Sequence, residues 1–146
     1  MKNKKQVAQQ IESFLEDEFT KNLPVVKLQD NSIAYKNYKI KQNKRGDFDL
    51  KFGGKGFETI GNFNLKVCAL MAAKKHDKCQ LEAYNEVRDL DSKYWASYAD
   101  AKYFQYKRKI TKDFEKFEIL TSRYDICSKR AVDYKDKITR MFRSTF

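Results

Sequence analysis

The chain has 146 residues, 31 Lys and Arg against 20 Asp and Glu, a formal net charge of +11, and 41% hydrophobic and 14% aromatic residues. At roughly 100 to 200 residues per domain, this is one compact unit or a small domain with an extended appendage, and the aromatic content excludes disorder throughout. The positive surplus implies an acidic partner, either nucleic acid (DNA or RNA) or an acidic protein surface.

Met1 to Gln10 is basic and polar and lacks the apolar stretch of a secretory signal, so the chain is read as not exported. The longest apolar run, Val67 to Ala73, is far short of the roughly 20 residues that span a bilayer, so no membrane partner is expected. Cys68, Cys79 and Cys127 cannot all pair within one chain, which suits a reducing cytoplasm. Lys outnumbers Arg, and Asn, Ile, Phe and Tyr are plentiful. A+T-rich codons produce that bias, which suits a viral accessory protein in a host cytoplasm.

In chain order, Val7, Ile11, Phe14, Leu15 and Phe19 follow helical spacing and predict an amphipathic helix near residues 4–21, stopped before Pro24. From Val25 to Ile60 the period changes to two. Tyr38 and Ile40 alternate with Lys39 and Lys41, and Phe48, Leu50 and Phe52 with Asp47, Asp49 and Lys51. A turn over Gln42 to Gly46 would pair Ile40 with Phe48 and Tyr38 with Leu50, setting Lys41 opposite Asp47 and Lys39 opposite Asp49. A second turn at Gly53-Gly54-Lys55-Gly56 would return Phe57 to Ile60 and place Lys51 near Glu58. The expectation is a small antiparallel meander, preceded by a short strand at Val25 to Leu28.

All five glycines and the single proline precede residue 62, so the rest of the chain lacks both common helix breakers. Leu65 to Lys75 reads as a buried helix with Asn62 or Asn64 as its cap. Asp77 and Gln80 resemble a capping box for the next helix, whose stripe runs through Leu81, Tyr84, Val87, Leu90, Tyr94, Tyr98, Ala101 and Phe104; Asp91 or Ser92 could restart it. From Ile110, the residues Phe117, Tyr124, Ala131 and Ile138 recur every seven, joined by Leu120, Cys127, Tyr134 and Met141. That 3-4 repeat predicts a long helix packed in coiled-coil fashion. The two registers do not match, which places a turn or kink near Lys107 to Thr111. The fold class is therefore α+β: residues 1–76 form a helix, a small antiparallel sheet and a covering helix, and residues 77–146 a long helical hairpin, together one unit.

Among these elements, Lys102, Lys109, Lys116, Arg123, Arg130 and Lys137 form a basic row at intervals of seven, able to track phosphates without reading bases. The competing explanation is an ordinary charged helix flank, paired with Glu82, Glu86, Asp89 and Asp100. Lys44 and Arg45 at the hairpin tip, with Lys36, Lys51, Lys55, Tyr35, Tyr38 and Phe52 near, suggest a strand-based nucleic-acid surface, although alternation assigns most of those rings to the buried face. The run Gly53 to Gly56 departs from the phosphate-binding loop pattern in spacing and in the residues that follow, and reads as a turn. Cys68, His76 and Cys79 have metal-ligand chemistry, but one continuous helix would hold the first two about 12 Å apart, so no metal is expected. Trp95, Tyr94 and Tyr98 offer a partner-binding anchor or core packing.

One histidine and no spaced nucleophile or carboxylate motif give no recognisable catalytic residue, so neither enzyme activity nor a cofactor is expected. The sequence thus favours an intracellular accessory protein that binds nucleic acid through phosphates with little sequence specificity. The alternative is an assembly subunit or homo-oligomer whose long helices pack on another chain. Ile119, Ile126 and Val132, off the main seam, supply the extra apolar surface it would use.

Overall fold

A computed structural model describes residues 25–28, 30, 32–53, 56 and 58–146. The amphipathic helix expected near residues 4–21 lies outside them, as do Gly54, Lys55 and Phe57 of the second turn. Five strands, β1 (Val26–Lys27), β2 (Ile33–Tyr35), β3 (Tyr38–Gln42), β4 (Phe48–Phe52) and β5 (Glu58–Phe63), form one antiparallel meander in sequence order. Tyr35, Tyr38, Ile40, Phe48, Leu50 and Phe63 are buried on one face. The period of two decides this, because successive side chains leave opposite faces of a strand.

The register differs by two residues from the one that a turn over Gln42 to Gly46 implies. Ile40 pairs with Leu50, Tyr38 with Phe52 and Gln42 with Phe48, so the turn holds Asn43 to Asp47, with Gly46 at φ 96°. Lys39 therefore faces Lys51, and Lys41 faces Asp49. Asp30 supplies the negative charge instead, 3.2 Å from Lys39 Nζ and 3.8 Å from Lys41 Nζ. Lys51 sits opposite Thr59, and Phe52 opposite Glu58, across an irregularity between Leu50 and Lys51.

Helix α1 (Lys66–Asp77) covers the buried face, with Val67 to Ala73 enclosed on every side. It runs antiparallel to β5. Its first residues follow Phe63, and His76 near its end lies within hydrogen-bond distance of Tyr38, Nδ1 to hydroxyl 2.6 Å. Lys36 donates to Asp77 at 2.8 Å, and Cys79 at φ 57° turns the chain back. Helix α2 (Leu81–Ile110) starts from Gln80 with no side-chain cap, so Asp77 and Gln80 do not form a capping box. It runs uninterrupted through Asp91 and Ser92.

Neither Asn62 nor Asn64 caps α1; its flanking residue Leu65 has no side-chain cap. The acceptor comes from α2. Asp91 accepts from the backbone N–H of Asn64 at 2.8 Å, from Asn64 Nδ2 at 3.1 Å and from the N–H of Leu65 at 2.9 Å. These donors enter a buried helix start, where an N–H without an acceptor costs about 1–3 kcal/mol. A carboxylate also complements the positive end of the helix dipole.

Helix α3 (Phe114–Thr145) returns antiparallel along α2 and ends on α1 and the sheet, where Lys74 Nζ donates to the Thr145 carbonyl and Phe146 sits edge-on to Tyr35. The hairpin expected over residues 77–146 is present, and the fold is α+β. Its break comes later than the heptad count implies: Ile110 closes α2, and α3 starts at Phe114.

Substitutions at Asp91, Gly61 and Tyr84 test this account. Burial pushes the Asp91 carboxyl from its ordinary 3.8 up to about 6, against the lowering pull of its hydrogen bonds to Asn64 and Leu65. A raised folded-state pKa means this group's contribution is complete below pH 3.8 and declines as pH rises through 6, by up to about 3 kcal/mol. Urea unfolding of wild type and Asp91→Asn should show a wild-type advantage that is largest near pH 4 and shrinks toward pH 7; a difference independent of pH would contradict it. At Gly61, an added Cβ would collide with the Tyr84 hydroxyl, which donates to the Ile60 carbonyl, and approach the Phe63 ring at 2.9 Å. Gly61→Ala should cost about 1–3 kcal/mol in thermal or urea unfolding, and Tyr84→Phe in the same chain should recover part of the loss.

Candidate nucleic-acid interface

The α2–α3 hairpin divides into two halves with different surroundings. Near its open end α2 is enclosed by α1, β5 and α3, and Tyr84, Val87, Leu90 and Tyr94 are buried together with Ala131, Ile138 and Phe142. Asp91 lies level with the start of α1. Beyond it α2 continues for 19 more residues to Ile110, a further 28 Å or so at 1.5 Å per residue. Past Tyr98, among the described residues, the buried residues of this distal arm (residues 99–130) are Ala101 and Cys127.

The tip closes without glycine or proline. Thr111 Oγ1 donates back to the Lys107 carbonyl at 2.8 Å, and Asp113 caps α3 by accepting from Lys116 N–H at 3.1 Å. Asp113, seven residues before Leu120, thus stands where the row Leu120, Cys127, Tyr134 and Met141 would continue, because a cap position needs a short acceptor side chain.

Charge separates along the hairpin. Residues 81–98 and 131–146 carry six basic and six acidic side chains, whereas the arm carries nine Lys and Arg against five Asp and Glu. Large exposed hydrophobic side chains also collect there. Phe114 is 72% exposed, and Tyr103, Tyr106, Ile110, Phe117, Ile119 and Ile126 lie between 40 and 54%. Spacings of three and four put Tyr103, Tyr106 and Ile110 on one side of α2, with Lys102, Lys107 and Lys109 beside them.

Several cations lie over rings. Lys107 Nζ is 5.7 Å from the Tyr103 ring centre and Lys102 Nζ 5.4 Å from that of Tyr98. The Arg108 guanidinium is 4.9 Å from Tyr124 and 5.8 Å from Phe117, and Arg123 is 5.9 Å from Phe104 on the opposite helix. Such contacts are worth about 0.5–1 kcal/mol at exposed sites, enough to pre-orient a cation and weak enough to be exchanged for a ligand.

The basic row does not lie along one helix. Lys102 and Lys109 are on α2, Lys116, Arg123, Arg130 and Lys137 on α3, and all six are exposed. The first five belong to the arm. Lys137 lies nearer the open end, in an open groove of about 450 Å³ with Glu86, Asp89, Lys93, Tyr134 and Arg140, where both signs of charge meet. That setting matches the ordinary-flank explanation for this member.

Lys44 and Arg45 occupy the β3–β4 turn. Gln42, Phe48 and Phe63 pair across the sheet there, so the turn lies at the end from which the arm projects. Lys44 is exposed, while Arg45 Nε lies 3.7 Å from Asp47. Tyr35 and Tyr38 are buried, which leaves Phe52, 38% exposed, as the one ring of that set open to solvent. Tyr94 is buried and Trp95 and Tyr98 pack against the core, so these three rings have a packing role. Cys68 is buried within α1, its thiol pushed well up by burial. Among the described residues no cluster of three or more His, Cys, Asp and Glu side chains could hold a metal ion, and no helix is long and apolar enough to cross a membrane.

Tyr103, Tyr106 and Phe114 were absent from the residues singled out by sequence, and Phe117 was assigned to a buried row. The available signal was that Tyr103 and Tyr106 fall outside the α2 stripe that includes Tyr98, Ala101 and Phe104. Ile119, Ile126 and Val132 do lie off the seam and are half exposed.

No family model matches the chain, and neither a curated protein nor a solved structure is found to be similar to it.

Proposed function

We propose that this is a small, basic, non-enzymatic accessory protein that binds nucleic acid through phosphate contacts on the distal arm, with little sequence specificity. The observation that carries the reading is the charge separation along the hairpin. A charge serving only solubility has no need to leave the packed half balanced and concentrate on the half that packs against least. Lys102, Lys109, Lys116, Arg123 and Arg130 are the phosphate-binding set, with Lys107, Arg108 and Lys112 closer to the tip and Lys44 at the sheet end beside the arm. Lysine and arginine in this density supply affinity and register on a phosphate backbone but no base readout. Three free cysteines and the A+T-type residue bias support a cytoplasmic, viral setting.

A second reading rests on Ile119 and Ile126. They are one heptad apart on α3, half exposed and flanked by Lys116, Arg123 and Arg130. Another protein chain could cover them, and the protein would then be an assembly subunit with coiled-coil-like contacts along its long helices.

Fluorescence anisotropy with labelled oligonucleotides across a salt series, with light scattering on the same samples, separates the two. Four phosphate contacts on a single strand give a log–log slope near −3, so affinity should drop roughly 50-fold between 50 and 200 mM salt. Reversing Lys109, Lys116, Arg123 and Arg130 to Glu should abolish binding at 50 mM salt with the thermal midpoint little changed. Oligonucleotide affinity indifferent to salt, or a stable oligomer that binds no oligonucleotide, would refute the nucleic-acid reading; the second result would support assembly.

A further inference from the structure

Phosphate binding alone leaves the arm's exposed rings unexplained. A duplex backbone needs cations at its surface, and lysine or arginine on a polar helix would serve. This arm instead places Tyr103 and Tyr106 between Lys102, Lys107 and Lys109, and Phe114 and Phe117 at the tip beside Lys112 and Lys116. All four rings are at least 40% exposed. Three of them are not core residues partly uncovered by fraying: Tyr103 and Tyr106 lie outside the α2 stripe that meets α3, and Phe114 begins α3 outside its apolar seam; Phe117 belongs to the seam row and is nonetheless 40% exposed.

Exposed rings next to cations are what unpaired bases need. A nucleobase offers a flat face for stacking, while its phosphate seeks the neighbouring charge; in a duplex those faces are already covered by neighbouring base pairs. The positive charge also argues against a second copy of the arm as the occupant, because two such arms repel. We infer that the arm selects single-stranded nucleic acid by stacking unpaired bases on Tyr103, Tyr106, Phe114 and Phe117 between its Lys and Arg side chains. This rests on the arm being a nucleic-acid surface and adds which strand form it takes and which residues choose it. Arg108 contributes from the seam, where its guanidinium already lies over Phe117 and Tyr124.

The test uses the full chain and four probes at one low salt concentration: a labelled single strand of about 20 nucleotides, the corresponding duplex, an abasic-spacer strand with the same number of phosphates, and vesicles containing phosphatidylserine. The single strand should bind at least tenfold more tightly than the abasic strand and more tightly than the duplex. Tyr106→Ser and Phe114→Ser should each weaken single-strand binding fivefold or more, the low end of base–ring stacking, and leave abasic-strand affinity and the salt slope unchanged. Phe114→Leu, which keeps apolar bulk without an aromatic face, should behave like Phe114→Ser. Circular dichroism of these surface variants confirms that the helices are intact. Equal binding of natural and abasic strands, or a preference for duplex, overturns base stacking and leaves phosphate binding standing. Vesicle binding with no oligonucleotide binding overturns both.

Discussion

At the point where sheet, α1 and α2 meet, a single carboxylate satisfies the start of a buried helix. Asp91 reaches from the middle third of α2 to the N–H groups of Asn64 and Leu65, so one interaction joins the exit of β5, the beginning of α1 and a fixed level on α2. Its burial is unfavourable for a charge, as the upward displacement of its pKa records, and the donors around it offset that cost. A helix can slide along its neighbours by one turn with modest loss of apolar contact. A buried carboxylate that must meet two particular N–H groups does not permit such a slide. Asp91 therefore sets how far α2 extends beyond the core, and with it the length of the projecting arm.

The consequence is a molecule with a dense end and a sparse end. At the dense end Ala69, Ala72 and Ala73 let α1 lie close to both sheet and hairpin, and Tyr38, His76, Phe52 and Tyr84 make a chain of ring contacts around its last turn. At the sparse end two helices meet across Ala101 and Cys127, small side chains that bring the backbones together without adding much apolar burial. Arg108 and Arg123 extend the seam by lying over rings. The arm's stability derives from its continuity with the packed half, which leaves its outer surface free to carry charge and rings that a core helix would have to bury.

Much of this arrangement was legible in the sequence, and the failures have definite causes. The period of two assigned the buried face of β3 and β4 correctly even though the pairing was displaced, because a shift of two residues preserves which side chains share a face. The turn expected over Gln42 to Gly46 misplaces the register, because the turn holds Asn43 to Asp47, and Lys39 and Lys41 find Asp30, a loop residue, rather than Asp49 and Asp47. The cap of α1 was illegible because its acceptor lies 26 and 27 residues away in the chain. The repeat through Ile110 ran past the true helix boundary because Ile110 keeps the spacing of seven while belonging to α2. The basic row was visible as a row; its fold around the tip, and the groove that Lys137 shares with Glu86 and Asp89, depend on tertiary neighbours that spacing does not encode.

The same charges that suit a polyanion also resolve a difficulty the arm poses for the protein itself. Phe114, Ile110, Tyr103 and Tyr106 exposed on one projecting element would ordinarily promote self-association. With nine basic and five acidic residues on the arm, two copies approaching tip to tip repel over a Debye length of about 8–10 Å. The rings can then remain uncovered without a permanent partner. On the proposed reading, a polyanionic strand would remove that repulsion as it binds, its phosphates neutralising the arm while its bases cover the apolar rings. Charge and aromatic exposure are two halves of one surface, each tolerable in the free protein because the other is present.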